Sequence, residues 1–377
     1  MSILPGSTIG MLGGGQLGRM FTVAARSMGY DVIILDPDTN SPAGKLATRH
    51  ICADFEDLAS LDILADECEV ITTEFENIPA STLQYLEDKG TVRPGSKAVS
   101  ITQDRILEKQ FLQNHHIDTA DFRVIRSSDD LQHASEQITH PSILKVSRFG
   151  YDGKGQITVS NANECQQAWQ SLQQEDCVLE QRMPLTKEVS VVLARAVDGE
   201  VAHYPIAENQ HKHGILDTSI IPARIDEATR QQILETATTI ANHLDYVGVM
   251  AVEFFITANQ LLVNEIAPRP HNSGHYTLDA CLTDQFEQQV RAVCALPLGE
   301  TRLLSPVVMV NLLGDLWNNN QPPDWNKLLA HRHVKLNLYG KKDARKGRKM
   351  GHFNVVDNDL DNALKVASQI QSQLEQS

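Results

Sequence analysis

Long hydrophobic runs are missing from this chain. Nowhere do roughly 18 or more apolar residues follow one another, which excludes a membrane-spanning helix. The first residues, "MSILPGSTIG", also lack a basic segment followed by an apolar stretch, so a cytoplasmic location is expected. Cysteine is sparse and scattered. Cys52, Cys68, Cys165, Cys177, Cys281 and Cys294 form no C-x-x-C pair, which argues against both a zinc site and a disulfide framework. Positive charge is in deficit, with 33 Lys and Arg against 48 Asp and Glu and a net charge of −15. So acidic a chain repels nucleic acid and anionic membranes, and any basic site must be local. The Walker A pattern G-x-x-x-x-G-K-[ST] is absent too, which excludes a P-loop ATPase.

What remains is an ordinary globular composition, 41% hydrophobic and 21% charged, in 377 residues. That length predicts two or three domains. In residues 1–95 the strands Thr8–Leu12, Asp31–Asp36 and Glu69–Phe75 alternate with helical patterns, which predicts a Rossmann-like α/β domain with a parallel sheet. Residues 96–300 open with a helix over Asp104–Asn114. An α+β subdomain over about 120–183 follows, with strands "FRVI", "SILKVS", "ITVS" and "CVLEQRM". Two strands then flank the turn Asp198-Gly199. A helix over Asp226–Leu244 carries Ile233, Leu234, Ala237, Ile240 and Leu244 on one stripe, and a hairpin spans Val249–Ile266. Residues 301–377 predict a small C-terminal α+β, barrel-like domain with strands near 306–313, 334–339 and 350–356 and a helix from Asp359.

Six stretches carry chemistry. "MLGGGQLGRM" spells G-x-G-x-x-G at a strand-to-helix turn, where backbone N–H groups and a helix N-terminus face an anion. Asp36 ends the next strand, near the spacing of about 20 residues at which an acidic side chain meets a ribose hydroxyl, so a nicotinamide-dinucleotide oxidoreductase is one reading. A second glycine-rich loop, "FGYDGKGQ" (Phe149–Gln156), lies between two strands, with Lys145 on the first of them. Such a loop can fold around phosphate, or be a plain hairpin turn. "VLEQRM" would offer the backbone of an edge strand to a nucleotide base.

In the hairpin, a three-residue loop Ala258–Gln260 pairs Thr257 with Leu261 and sets Glu253 opposite Glu265. Like charges facing across a sheet call for a cation between them, and two carboxylates plus nucleotide phosphates suit magnesium, with Asn264 completing the shell. A slipped register, sending the two side chains to opposite faces, is the alternative. "IAPRPHNSGH" follows, and its Arg269, His271, Asn272 and His275 suit a small planar oxyanion or stand as polar groups of a Pro-rich loop. Last, "YGKKDARKGRKMGH" crowds Lys341, Lys342, Arg345, Lys346, Arg348 and Lys349 together, as a solvated face or a phosphate monoester site.

In this order the motifs "GGGQLGRM", "EFENIP", "KVSRFGYDGKGQ", "ENQHKHGIL", "NEIAPRPHNSGH" and "GRKMGH" resemble the ATP-grasp superfamily, and within it the N5-carboxyaminoimidazole ribonucleotide synthetase family. The resemblance implies an ATP-dependent ligase of purine biosynthesis that joins bicarbonate to 5-aminoimidazole ribonucleotide through carboxyphosphate, with magnesium (or manganese) as cofactor and a homodimer as the assembly. It implies that Arg105 and Lys145 touch ATP phosphates. The loop Gly150, Tyr151, Asp152, Gly153, Lys154, Gly155 and Gln156 would close over them as a lid. Glu180, Gln181, Arg182 and Met183 would frame adenine, Glu188 would bind ribose, and His211 would approach the nucleotide. Glu253 and Glu265, with Asn264, would hold the metal. Lys145, Arg269, His271 and Asn272 are the implied catalytic residues, the last three gathering bicarbonate. Gly15, Gln16, Leu17, Glu76, Tyr151, Asp152, Lys341 and Arg348 would meet the aminoimidazole ribonucleotide. Lys346 departs from the pattern, standing where the family has proline. Outside this family, the alternatives are another ATP-grasp carboxylase or ligase with a different acceptor, a nucleotide sensor without catalysis, and the oxidoreductase above.

Overall fold

The computed structural model describes residues 1–150, 153–318 and 321–375. Tyr151 and Asp152, two of the expected substrate and nucleotide contacts, lie outside the described residues.

The N-terminal unit runs β1 (Thr8–Leu12), α1 (Gln16–Ser27), β2 (Asp31–Leu35), β3 (Arg49–Ile51), α2 (Leu58–Glu67), β4 (Val70–Thr73) and α3 (Ala80–Glu87). Its four strands form a parallel sheet in the order β3-β2-β1-β4, the expected doubly covered arrangement. Strand β3 and helix α2 were not legible in sequence, because three residues of half-exposed "RHI" carry no period. On one face, Leu17, Phe21 and Ala25 of α1 meet Phe286, Val290 and Val293 from far along the chain.

Helices α4 (Ser96–Thr102) and α5 (Arg105–Asn114) follow, split where Asp104 turns extended and accepts the N–H groups of Ile106 and Leu107. The subdomain contains β5 (Phe122–Ile125), α6 (Ser128–Gln137), β6 (Ser142–Val146), β7 (Gln156–Val159), α7 (Ala162–Ser171) and β8 (Cys177–Gln181). Its antiparallel sheet has the order β5-β8-β6-β7. Strand β8 is therefore interior and not an edge. Both its flanks are spent on ladder bonds, so within the strand no backbone row faces a base.

The remaining elements are β9 (Lys187–Arg195), β10 (Val201–His203), β11 (Ala207–Lys212), β12 (Ile215–Ile221), α8 (Glu227–His243), β13 (Gly248–Ile256), β14 (Leu261–Ala267), α9 (Thr277–Ala280), α10 (Gln285–Val293), β15 (Val307–Leu313), α11 (Trp325–Leu329), β16 (Val334–Leu338), β17 (Lys349–Val356) and α12 (Leu360–Glu375). Among the described residues they build one nine-stranded sheet, β14-β13-β9-β11-β12-β15-β17-β16, with β10 paired to β9. The C-terminal strands thus extend the central sheet through antiparallel pairing of β12 with β15. Helix α8 covers one face, burying Ile233, Ala237, Ile240 and Leu244 against Val191, Leu193, Met250 and Val252. Each fully buried aliphatic side chain there contributes about 1.5–3 kcal/mol. No described helix is long and apolar enough to cross a membrane.

Candidate active site

The three sheets leave a cleft of 2320 Å³ between them. Apart from Gly15, Gly150, Gly155, His275 and Lys342, every described residue assigned to the site from sequence lines it.

At its centre is the β13–β14 hairpin, where Glu253 does face Glu265. The route to that pairing differs from the expected one. The loop holds four residues, closed by the Thr257 N–H donating to the Gln260 carbonyl, so Ile256 pairs with Leu261 and Phe254 with Val263. A bulge after Glu253 then skips Asn264 and restores the facing carboxylates. Asn264 Nδ2 sits 3.5 Å from Glu253, while its Oδ1 is buried with no hydrogen-bond partner. Helix α5 holds the bulge from behind. Lys109 Nζ donates to the Asn264 carbonyl (3.3 Å) and to Thr119 Oγ1 (2.6 Å), whose hydroxyl donates to the Val263 carbonyl. The N–H of Ile266 donates to Glu108 at 2.9 Å. Burial and the nearby Glu265 push the Glu108 carboxyl up to about 8.

Cations surround these carboxylates. Arg105 lies 3.1 Å from Glu265, and its other nitrogen reaches the carbonyl of Gly150. Lys145, on β6, donates to Glu180 at 2.7 Å, and Lys109, 0% exposed, approaches the same carboxylate at 3.5 Å. Burial alone would raise the Glu180 pKa, yet Lys109 and Lys145 hold it down to about 2. Glu180 therefore orients two lysines. The segment that reaches the cleft beside it is Gln181–Met183, with Pro184 and Leu185. Glu188 and His211 form a pair 2.9 Å apart, and although burial works against its charge, Glu188 and Glu253 raise the His211 pKa. Gly153, Lys154 and Gln156 close this end of the cleft.

On the far side of the hairpin, Arg269 grips Glu76 with two nitrogens, the longer bond being 2.9 Å. Against the effect of burial, Arg269 holds the Glu76 pKa at about 2. His271 Nε2 lies 3.2 Å from Glu253, and its Nδ1 faces Ser273. Burial raises Glu253, but His271, His211 and Lys349 outweigh it and bring it to about 2. Asn272, 5% exposed, exchanges two amide bonds with Asn311 of β15 (3.0 and 2.7 Å), so its side chain braces the loop. His275 is fully buried, with Nδ1 on Gln285, and does not join Arg269 and His271 at the cleft.

The first glycine loop corrects an expectation. Its N–H groups do not wait for a ligand anion, because the protein supplies one. Gly15 and Gly18 donate to the buried carboxylate of Glu74, and Gly14 donates to Asp36 at 2.6 Å. A Cβ on Gly15 would lie 2.5 Å from Glu74 Oε1, which is why glycine stands there. A dinucleotide pyrophosphate would have to displace two carboxylates, and the oxidoreductase reading fails on that geometry. Gln16 and Leu17 still face the cleft, and Lys341 Nζ donates to Gln16 at 2.6 Å. The basic turn around Lys346 is pinned without proline, by the Arg348 N–H on the Arg345 carbonyl and the Gly347 N–H on Asp315.

Glu74 was seen in sequence only as the first residue of "EFENIP", and Glu108 and Lys109 went unnoticed. Their only signal is charge at positions where the helical or strand period demands an apolar residue.

Comparison with known proteins gives the family. Residues 6–103 match the ribonucleotide synthetase preATP-grasp domain, 110–286 the ATP-grasp domain, and 307–366 the phosphoribosylaminoimidazole carboxylase C-terminal domain. The N5-carboxyaminoimidazole ribonucleotide synthase of Bacillus subtilis is 44% identical over 94% of this chain and 92% of its own length. An N5-carboxyaminoimidazole ribonucleotide synthetase solved as its ADP complex superposes with a TM-score of 0.92 at 43% identity, over 98% of this chain and 97% of that one. The Aspergillus clavatus enzyme, solved with ADP and 5-aminoimidazole ribonucleotide, gives a TM-score of 0.90 at 28% identity over 98% and 99%. The chain belongs to the N5-carboxyaminoimidazole ribonucleotide synthase family, ATP-grasp ligases that use ATP to carboxylate 5-aminoimidazole ribonucleotide.

Proposed function

We propose that this cleft makes N5-carboxyaminoimidazole ribonucleotide from ATP, bicarbonate and 5-aminoimidazole ribonucleotide, as a cytoplasmic homodimer. One observation carries the reading: facing carboxylates and an unpartnered amide oxygen lie between the lysine and arginine of the nucleotide side and the Arg269–His271 side. A hard divalent cation fits Glu253, Glu265 and Asn264 Oδ1, all oxygen donors, with nucleotide phosphates supplying the rest. Bound there, magnesium would neutralise phosphate charge.

Bicarbonate carbon is shielded by its anionic oxygen, so the amine cannot attack it directly at a useful rate. An oxygen of bicarbonate attacks the γ-phosphorus and the bond to the β-phosphate oxygen breaks, giving ADP and carboxyphosphate. The exocyclic amine then forms its N–C bond, directly or to carbon dioxide released in the site, while phosphate leaves with the amine proton. Lys145 and Arg105 balance charge on the transferring phosphoryl group. Arg269 and His271 Nε2 hold the bicarbonate oxygens, and Asn272 keeps their loop in place. Gln16 and Lys341, with Arg348, receive the ribonucleotide. Carboxyphosphate is lost to water unless the site is closed, a role suited to the glycine loop of residues 149–156. ADP release, measured with and without each of the two co-substrates, tests the reading. Turnover should require both, and ATP hydrolysis indifferent to them would refute the acceptor. Light scattering tests the dimer.

A further inference from the structure

A chain of hydrogen bonds runs under the central sheet from β12 to the cleft, and none of its members except His271 has been given a role. Ser219 Oγ donates to Asn209 Oδ1 at 2.8 Å. Asn209 Nδ2 donates to Ser190 Oγ at 2.8 Å. Ser190 Oγ lies 2.7 Å from Ser273 Oγ, which lies 2.8 Å from His271 Nδ1. His271 Nε2 ends the chain 3.2 Å from Glu253. Ser190, Asn209, Ser219 and Ser273 are all buried, so no water competes for these atoms.

The polarity of the chain follows from its one unambiguous donor. An amide nitrogen can only donate, so Ser190 Oγ accepts from Asn209 and has its own proton available for Ser273 Oγ, the direction in which each hydroxyl of the chain donates once. Ser273 Oγ then sends its proton to His271 Nδ1. The backbone N–H of Ser273 also points at Nδ1, at 3.3 Å, which makes that nitrogen an acceptor a second time. A ring nitrogen accepting two hydrogen bonds carries no proton, and the proton of a neutral imidazole is left on Nε2.

We infer that Ser273, Ser190, Asn209 and Ser219 are positioning residues, whose directed hydrogen bonds fix His271 as the Nε2–H tautomer with its donor aimed into the cleft. An Nε2–H group can hold an anionic oxygen, whereas an Nε2 lone pair would repel one. The kinetic consequence rests on the proposed bicarbonate role of His271, while the tautomer itself does not.

Asn209→Asp tests the idea, because a carboxylate only accepts. Ser219 and Ser190 would both donate to it, Ser273 would donate to Ser190, and Ser273 Oγ would then accept a proton from His271 Nδ1, opposed only by the longer Ser273 backbone N–H at 3.3 Å. In the full-length protein with nitrogen-15-labelled histidine, the His271 ring signals, assigned by their loss in His271→Gln, should report Nε2–H in the wild type and a shift toward Nδ1–H in Asn209→Asp. Steady-state kinetics should show kcat/KM for bicarbonate falling about tenfold or more, with KM for ATP little changed. Ser190→Ala serves if Asn209→Asp does not fold, and should give a mixture of tautomers with a smaller loss. A wild-type Nδ1–H tautomer, or a tautomer unchanged in both variants, overturns the inference. A reversed tautomer with an unchanged bicarbonate constant upholds the relay and removes bicarbonate from His271.

Discussion

Glu265 faces a partner carboxylate across a ladder and leans on one guanidinium, an arrangement that neutral amides do not need. Glu265→Gln is nearly isosteric and removes one negative charge from a crowded site, so the fold should survive. Turnover should fall by roughly two orders of magnitude or more, as expected when charge stabilisation at a phosphoryl group is lost. Activity like the wild type, measured as ADP release on protein with an unchanged melting curve, would remove this residue from the metal set. The Glu253–Glu265 pairing was legible in sequence only because two errors cancel. The loop is one residue longer than a minimal count gives, and the bulge at Asn264 takes that residue back. Sequence period places charges on a face, but it cannot locate a bulge that a distant lysine holds in place.

At the scale of elements, α5 does more than its apolar stripe suggests. Phe111 and Leu112 bury themselves as periodicity predicts, yet Glu108 and Lys109 are buried with them and clamp β14. Lys109→Met keeps the bulk and removes the charge, leaving Glu180 one partner short and the Asn264 carbonyl without its donor. Breaking a buried ion pair this way costs about 3–5 kcal/mol. Urea unfolding should show that loss, and a stability within 0.5 kcal/mol of wild type (roughly the scale of a surface substitution) would mean the clamp is idle. The same limit of local reading explains β8. Its residues look like any polar-apolar strand, and only the pairing with both β5 and β6 reveals that it is interior.

For the whole molecule, titration should weaken the fold mainly on the acid side. Burial holds His352 down to about 3 and His275 well below its ordinary 6.5, so their contribution is present above pH 6.5 and is lost as the pH falls toward 3. Glu76, Glu180 and Glu253, near 2 in the fold, contribute above pH 4.5 and lose that as the pH drops toward 2. Glu108 acts in the opposite sense, with a contribution lost between 4.5 and about 8. Glu74, Asp279 and Asp284, raised by burial, share the sense of Glu108, so the steep fall of urea midpoints should lie below pH 4.5, and His352→Phe should remove up to one proton from the slope between 6 and 3. A midpoint that stays flat from pH 4.5 down to 3 would contradict this assignment. Strand order is the least legible feature at this scale, since nothing in "ILDTSII" announces that it will pair with residues nearly a hundred positions later.

That pairing of β12 with β15 also bears on how the protein can be handled. A chain stopped after Glu300 would keep the hairpin, both lysines and the arginines of the nucleotide side, yet it would leave four residues of β12, Thr218 to Ile221, with one flank bare. An uncovered edge of this kind recruits the same edge of another molecule. Such a fragment should accumulate as insoluble aggregate when expressed alone and return to solution when residues 301–377 are supplied in trans. The seam that offers itself as the place to cut is the one that covers this edge.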